Sequence, residues 1–146
     1  MTRTFVGLFL CALVLLSGCQ TGGVLLRETP LSLSETRRVI TIVIGEPRDL
    51  SQNGREIYSK YYDRRNNRLE KMDMVRERYY TLVTVLGDRR PYDVQVQVLV
   101  ERRTPEGGWE QVERDDDRAA VLAEKIRVTL NQSRDNRNVI DDFRSF

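Results

Sequence analysis

Between Tyr92 and Glu101 the chain alternates with a period of two. Tyr92, Val94, Val96, Val98 and Val100 fall on one side, and Asp93, Gln95, Gln97, Leu99 and Glu101 on the other. Successive side chains of an extended strand point to opposite faces, so this segment can only be a strand with one face apolar and one mostly wet. A strand of that kind belongs to an antiparallel sheet covered on one side. Turn residues bracket it: Gly87-Asp88-Arg89-Arg90-Pro91 before, and Thr104-Pro105-Glu106-Gly107-Gly108 after. The flanking segments Tyr79 to Leu86 and Trp109 to Glu113 are therefore its expected partners, with Trp109 packing near its loop.

The sheet needs a cover. Asp115-Asp116-Asp117 precedes Ala119, Leu122, Ala123, Ile126 and Leu130, an apolar stripe with helical spacing. Acids suit the positive end of a helix and can cap it, so a capped N-terminus is preferred over a cation site. Ile126, Val128 and Leu130 also alternate, which leaves an extended end as the alternative. Upstream, Val39-Ile40-Thr41-Ile42-Val43-Ile44 is β-branched or apolar throughout, and the expectation is an interior strand over Arg37 to Ile44, stopped by Gly45-Glu46-Pro47. Asn53 to Arg65 is expected as a short helix, because Ile57, Tyr58, Tyr61 and Tyr62 share one face at 3.6 residues per turn. Its tyrosines are either core filler or a stacking platform. Residues 63–75 carry no clear pattern. The predicted fold is one α+β domain, order β-α-β-β-β-α, with a small, mainly antiparallel sheet and both helices on one face.

The N-terminus has a different character. Arg3 is followed by an almost wholly apolar run from Phe5 to Leu16, shorter than the roughly 20 residues that span a bilayer. It closes on Leu16-Ser17-Gly18-Cys19, which resembles the lipobox of bacterial lipoproteins. That resemblance implies cleavage before Cys19 and a diacylglycerol on its sulfur. It also implies an outer-membrane location facing the periplasm, where the cell has one, because Gln20 rather than Asp follows the cysteine. The expected organisation is then a signal peptide over 1–18, a lipidated flexible tether over 19–35, the α+β domain over 36–131 and a polar tail over 132–146. Within the tether, Val24-Leu25-Leu26 either rests on the membrane or touches the domain.

Removing residues 1–18 from the 146 leaves 128, and takes one Arg and no acid from the 24 cations and 22 acids. The remainder is nearly neutral, so no global charge draws it to nucleic acid. Three cations are lysines, Lys60, Lys71 and Lys125, and the others are arginines interleaved with acids. No histidine is present, and the two cysteines are Cys11, inside the signal, and Cys19. Triads built on histidine, thiol nucleophiles and ordinary zinc sites are thereby excluded, and no Gly-rich loop ends in Lys-Ser or Lys-Thr. Acids are abundant, but no pair stands out for glycoside chemistry.

These observations lead to a non-enzymatic envelope lipoprotein without cofactor or metal, attached to the membrane through its lipid and binding or scaffolding another envelope protein. The alternative is a lipid or lipopolysaccharide handler. Asp117-Arg118-Ala119-Ala120, opening an amphipathic helix after antiparallel strands, is similar to the lipopolysaccharide-assembly lipoprotein family. For that alternative, Arg89, Arg90, Arg102 and Arg103 are the candidate phosphate-binding residues, at opposite ends of one strand. In the tail, Phe143 and Phe146 are candidate anchors for a partner's groove.

Overall fold

The computed structural model describes residues 22–142, with side chains through Asn136. The domain is α+β. Its strands are β1 (Val24–Thr29), β2 (Asp49–Leu50), β3 (Glu56–Tyr58), β4 (Glu77–Leu86), β5 (Tyr92–Arg103) and β6 (Trp109–Arg114). Its helices are α1 (Leu33–Ile44), between β1 and β2, and α2 (Asp116–Asp142), after β6. Every strand pair is antiparallel, in the order β1-β5-β4-β3-β2, and β6 also pairs with β5.

The strand β5 organises the sheet. Along one side it pairs with β4, from Leu86↔Asp93 to Glu77↔Arg102. Its other side is shared: β1 takes the first half, with Val24 opposite Val96, and β6 the second, with Arg114 opposite Leu99. The alternation of β5 is realised as expected. Val94 and Val96, with Val83 and Val85 across from them, are buried beneath Val39 and Ile40 of α1 and Ala123, Ile126 and Leu130 of α2. Both helices therefore lie on one face. Burying a Val or Ile side chain contributes about 1.5–3 kcal/mol, so this layer carries much of the fold's stability.

Two elements differ from expectation. The β-branched run over Arg37 to Ile44 is helical. Ser32 starts α1 with a capping box: its hydroxyl accepts from the Glu35 amide, and the Glu35 carboxylate accepts from the Ser32 amide. Thr36, Val39 and Ile40 form the buried stripe, and Gly45, at φ 80°, takes the chain out of the helix. Conversely, Asn53 to Arg65 is not helical. Ser51 to Arg55 is a turn between β2 and β3, with Gly54 at φ 64°. Beyond it Ile57 points to the helices, and Tyr58 shares the opposite face with Leu82.

The organisation shifts accordingly. Much of the expected tether is structure: β1 is part of the sheet, and α1 begins at Leu33. The expected tail is mostly helix, since α2 runs on through Asp142 for 27 residues, about 40 Å. Among the residues whose side chains are described, its buried stripe ends at Leu130. Among the described residues, no helix is long and apolar enough to cross a membrane.

Candidate functional site

On the helix side, a cleft of about 660 Å³ opens between the end of α1 and the beginning of α2. Val43 and Ile44 line one wall. Val121 and Leu122 line the other, with Lys125 one turn further along α2. Asp115 fixes that second wall. Its carboxylate accepts from the Arg118 amide at 3.0 Å and its carbonyl from the Ala119 amide at 3.0 Å, the geometry of an N-cap.

The segment after β3 forms the floor. Ser59 accepts the Thr81 amide on its hydroxyl at 2.8 Å, and the Tyr62 hydroxyl shares a 3.0 Å hydrogen bond with Thr81 Oγ1. The Tyr62 ring stacks on Tyr79 at 6.0 Å, and burial raises its hydroxyl's pKa above the usual range for tyrosine. Asp63 then closes a tight turn, accepting from the Arg65 and Asn67 amides at 2.8 Å each, with Asn66 at φ 65°. Hydrogen bonds from the Asn67 side chain and backbone hold the Asp63 carboxyl below its usual range. This stretch gave no sequence pattern because its order comes from an Asx turn and two isolated bridges, Tyr62 with Arg68 and Tyr62 with Tyr79.

Four cations and two acids line the cleft. Lys60 is paired with Glu46, which lowers the pKa of that carboxyl. Arg118 is committed as well: it pairs with Asp115 at 2.8 Å, donates to Asn66 Oδ1 and the Arg64 carbonyl, and lies over the Tyr79 ring. Arg68 and Lys125 are exposed and have no ion-pair partner among the described residues. Arg68 also helps lower the pKa of the Glu46 carboxyl, and Asp117 is an acid of the lining that has no ion-pair partner among the described residues. With four cations against two acids, the cleft combines apolar walls with an excess of positive charge, a combination suited to binding an acidic, partly apolar group. Among the described residues, no three His, Cys, Asp or Glu side chains are grouped as a metal site.

The opposite sheet face carries a second feature. Arg48 stacks on Tyr61 at 4.3 Å, Arg78 covers Tyr61 at 3.8 Å, and Arg78 also covers Trp109 at 4.0 Å. Cations and rings alternate, each held to the next by the ring quadrupole. Tyr61 also meets Tyr80 edge-on at 5.7 Å, and Arg78 pairs with Glu101 at 2.6 Å. The tyrosines are therefore divided: Tyr62 and Tyr79 serve the helix side, and Tyr58, Tyr61 and Tyr80 the open side.

Of the residues singled out in the sequence, Arg89 and Arg90 are exposed in the β4–β5 turn. Arg102 and Arg103 are at the other end of the 12-residue β5, about 40 Å away at full extension. Arg102 pairs with Glu77 at 3.2 Å, and Arg103 donates to the Asp73 carbonyl. The fold does not bring the four together, and the cleft uses none of them. Cys19, Phe143 and Phe146 lie outside the described residues. The cleft cations Arg68 and Lys125 were not singled out because each is one charge among many, Arg68 in the run from Asp63 to Lys71 and Lys125 between Glu124 and Arg127. Lys125 borders the apolar stripe of α2, the one sequence signal for it. No family model, curated protein or solved structure matches the chain.

Proposed function

We propose that this chain is a lipid-anchored, non-enzymatic binding module of a bacterial cell envelope, held at Cys19, and that the cleft between α1 and α2 receives an acidic segment of another envelope protein. The cleft carries this reading: apolar walls formed by Val43, Ile44, Val121 and Leu122 beside the exposed cations Arg68 and Lys125. A charge opposite those cations gains orientation and speed of encounter, while the apolar walls supply contact area. The lipid or lipopolysaccharide reading is kept as the second one, because the same pairing of cations and apolar wall suits a lipid with an acidic headgroup. Its phosphate-binding residues would be Arg68 and Lys125 rather than the four arginines of β5 and its turn.

A photo-crosslinking residue at Val121 in living cells tests the cleft, with the same residue at the exposed Val128 as control. The expected result is a discrete protein adduct from position 121 that disappears with Arg68→Glu and Lys125→Glu. A lipid adduct would transfer support to the second reading. Equal adducts from 121 and 128 would remove the cleft from consideration. The anchor is tested separately. Cys19→Ala should abolish fatty-acid labelling, and labelling that continued in that variant would contradict it.

A further inference from the structure

We infer that the sheet face turned away from the helices is a membrane-contact surface, lying on the phospholipid headgroups of the bilayer that holds the anchor. This rests on the reading of Cys19 as the lipidated residue. Where the chain joins the domain supplies the first argument. The Gly22 carbonyl accepts from Gln95 Nε2 at 3.0 Å and from Gln97 Nε2 at 2.6 Å. By register both glutamines point away from the helices, since Val94, Val96 and Val98 point toward them. Gly23 follows at φ 101°, and a Cβ there would stand 2.6 Å from the Val96 carbonyl oxygen. The chain is thus fixed to the open side of the sheet at Gly22, before it enters the sheet as β1.

Covalent length supplies the second argument. Three peptide links separate Cys19 from Gly22. At full extension they span about 11 Å. Acyl chains on Cys19 would lie in the hydrocarbon, which puts that residue at the headgroup layer. Gly22 can then stand no further than that span from the layer, whatever path the links take. A protein held so closely on its open side cannot turn its helix side to the bilayer.

The chemistry of the face is the third. Trp109 and Tyr61 lie half-buried on it, over a buried Tyr80, and the exposed Arg48 caps the stack without an ion pair among the described residues. Trp and Tyr concentrate at the membrane–water interface, and guanidinium groups bind phosphate. Leu25 and Leu86 are also exposed on this side, at 42% and 39%. Of its acids, Glu101 pairs with Arg78 and Glu56 accepts from the Tyr58 hydroxyl, while Asp49, Glu56 and Asp93 have no ion-pair partner among the described residues. Tyr80 is opposite Leu99, two residues along β5 from the Gln97 that holds Gly22. That is about 7 Å along the strand and 5 Å across to β4, so the aromatic stack and the anchored end share one patch. The cleft, on the helix side, is then turned to the aqueous phase.

Trp109 is the only tryptophan of the chain, which makes the test direct. Full-length lipidated protein is reconstituted in phosphatidylcholine–phosphatidylglycerol vesicles with and without brominated acyl chains, and Cys19 lipidation is verified by mass. The expected result is at least twofold quenching of Trp109. In a Trp109→Phe, Val128→Trp variant, the reporter on α2 should be quenched far less. Arg48→Glu should weaken the quenching of Trp109. Equal quenching of both reporters, or quenching only from α2, with the lipid present, overturns the orientation and leaves the anchor intact. A mass without lipid on Cys19 removes the anchor and this inference with it.

Discussion

Thr36 offers the sharpest test of the packing argument. It is fully buried on α1, on the same stripe as Val39 and Ile40, and its hydroxyl has no hydrogen-bond partner among the described residues. A buried polar group left unpaired costs about 1–3 kcal/mol. Thr36→Val replaces that hydroxyl with a methyl of similar volume, and the two residues have nearly equal helix propensity. The variant should be more stable by at least about 1 kcal/mol. For a domain of this size that raises Tm by about 4 °C. Thr36→Ser is the complementary change. It keeps the hydroxyl and deletes a buried methyl, so it should be destabilised by about 1 kcal/mol or more. Thermal and urea unfolding, followed by circular dichroism and Trp109 fluorescence, measure both. A less stable Thr36→Val beside a neutral Thr36→Ser would mean that the hydroxyl is satisfied in the folded protein, and the reasoning would fail.

Two further outcomes are expected. Val96→Asp puts a charge on a fully buried position facing both helices and should prevent stable folding, whereas Gln97→Asp, on the open face, should cost about 1 kcal/mol through its lost bond to Gly22; similar damage from both in urea titrations would contradict a sheet buried on one side. Burial raises the pKa of Tyr62, Tyr79 and Tyr80 above the ordinary value near 10, so their contribution to stability is complete below that pH and is lost as pH rises through their higher folded values. Denaturation midpoints should therefore fall above about pH 10, less steeply in Tyr62→Phe, and a profile identical to that of the parent protein would exclude Tyr62 as a contributor.

What could be read from the sequence followed the strength of the local pattern. Five alternating positions in β5, bracketed by turns, specified the strand, its buried face and its neighbours β4 and β6, while the third neighbour, β1, was expected as tether. The stripe from Ala119 to Leu130 specified α2 and the side it buries. The β-branched run of α1 misled because propensity is a weak effect, at most several tenths of a kcal/mol per residue, against the burial of Val39 and Ile40 on one helical stripe. The contrary signal was present in Ser32-Leu33-Ser34-Glu35, a capping box directly before an apolar run. Asn53-Gly54, a strong hairpin dipeptide, likewise marked the turn ahead of β3. The cleft was less legible. Arg68, Thr81 and Lys125 come from three distant parts of the chain, and only the crossing of a loop, a strand and a helix makes them neighbours.

The position of Gly22 also sets an order of events during biogenesis. Its carbonyl is held by side chains 73 and 75 residues later in the chain, and the strand that follows it pairs only with β5. Until β5 has been synthesised, the Gly22 carbonyl lacks these donors and β1 has no strand to pair with. Under the proposal that Cys19 is the lipidated residue, its processing would be unhindered before β5 docks and would afterwards have to take place within three residues of a folded sheet. The long sequence separation of the β1–β5 pair would then act as a delay that keeps the proposed processing site open.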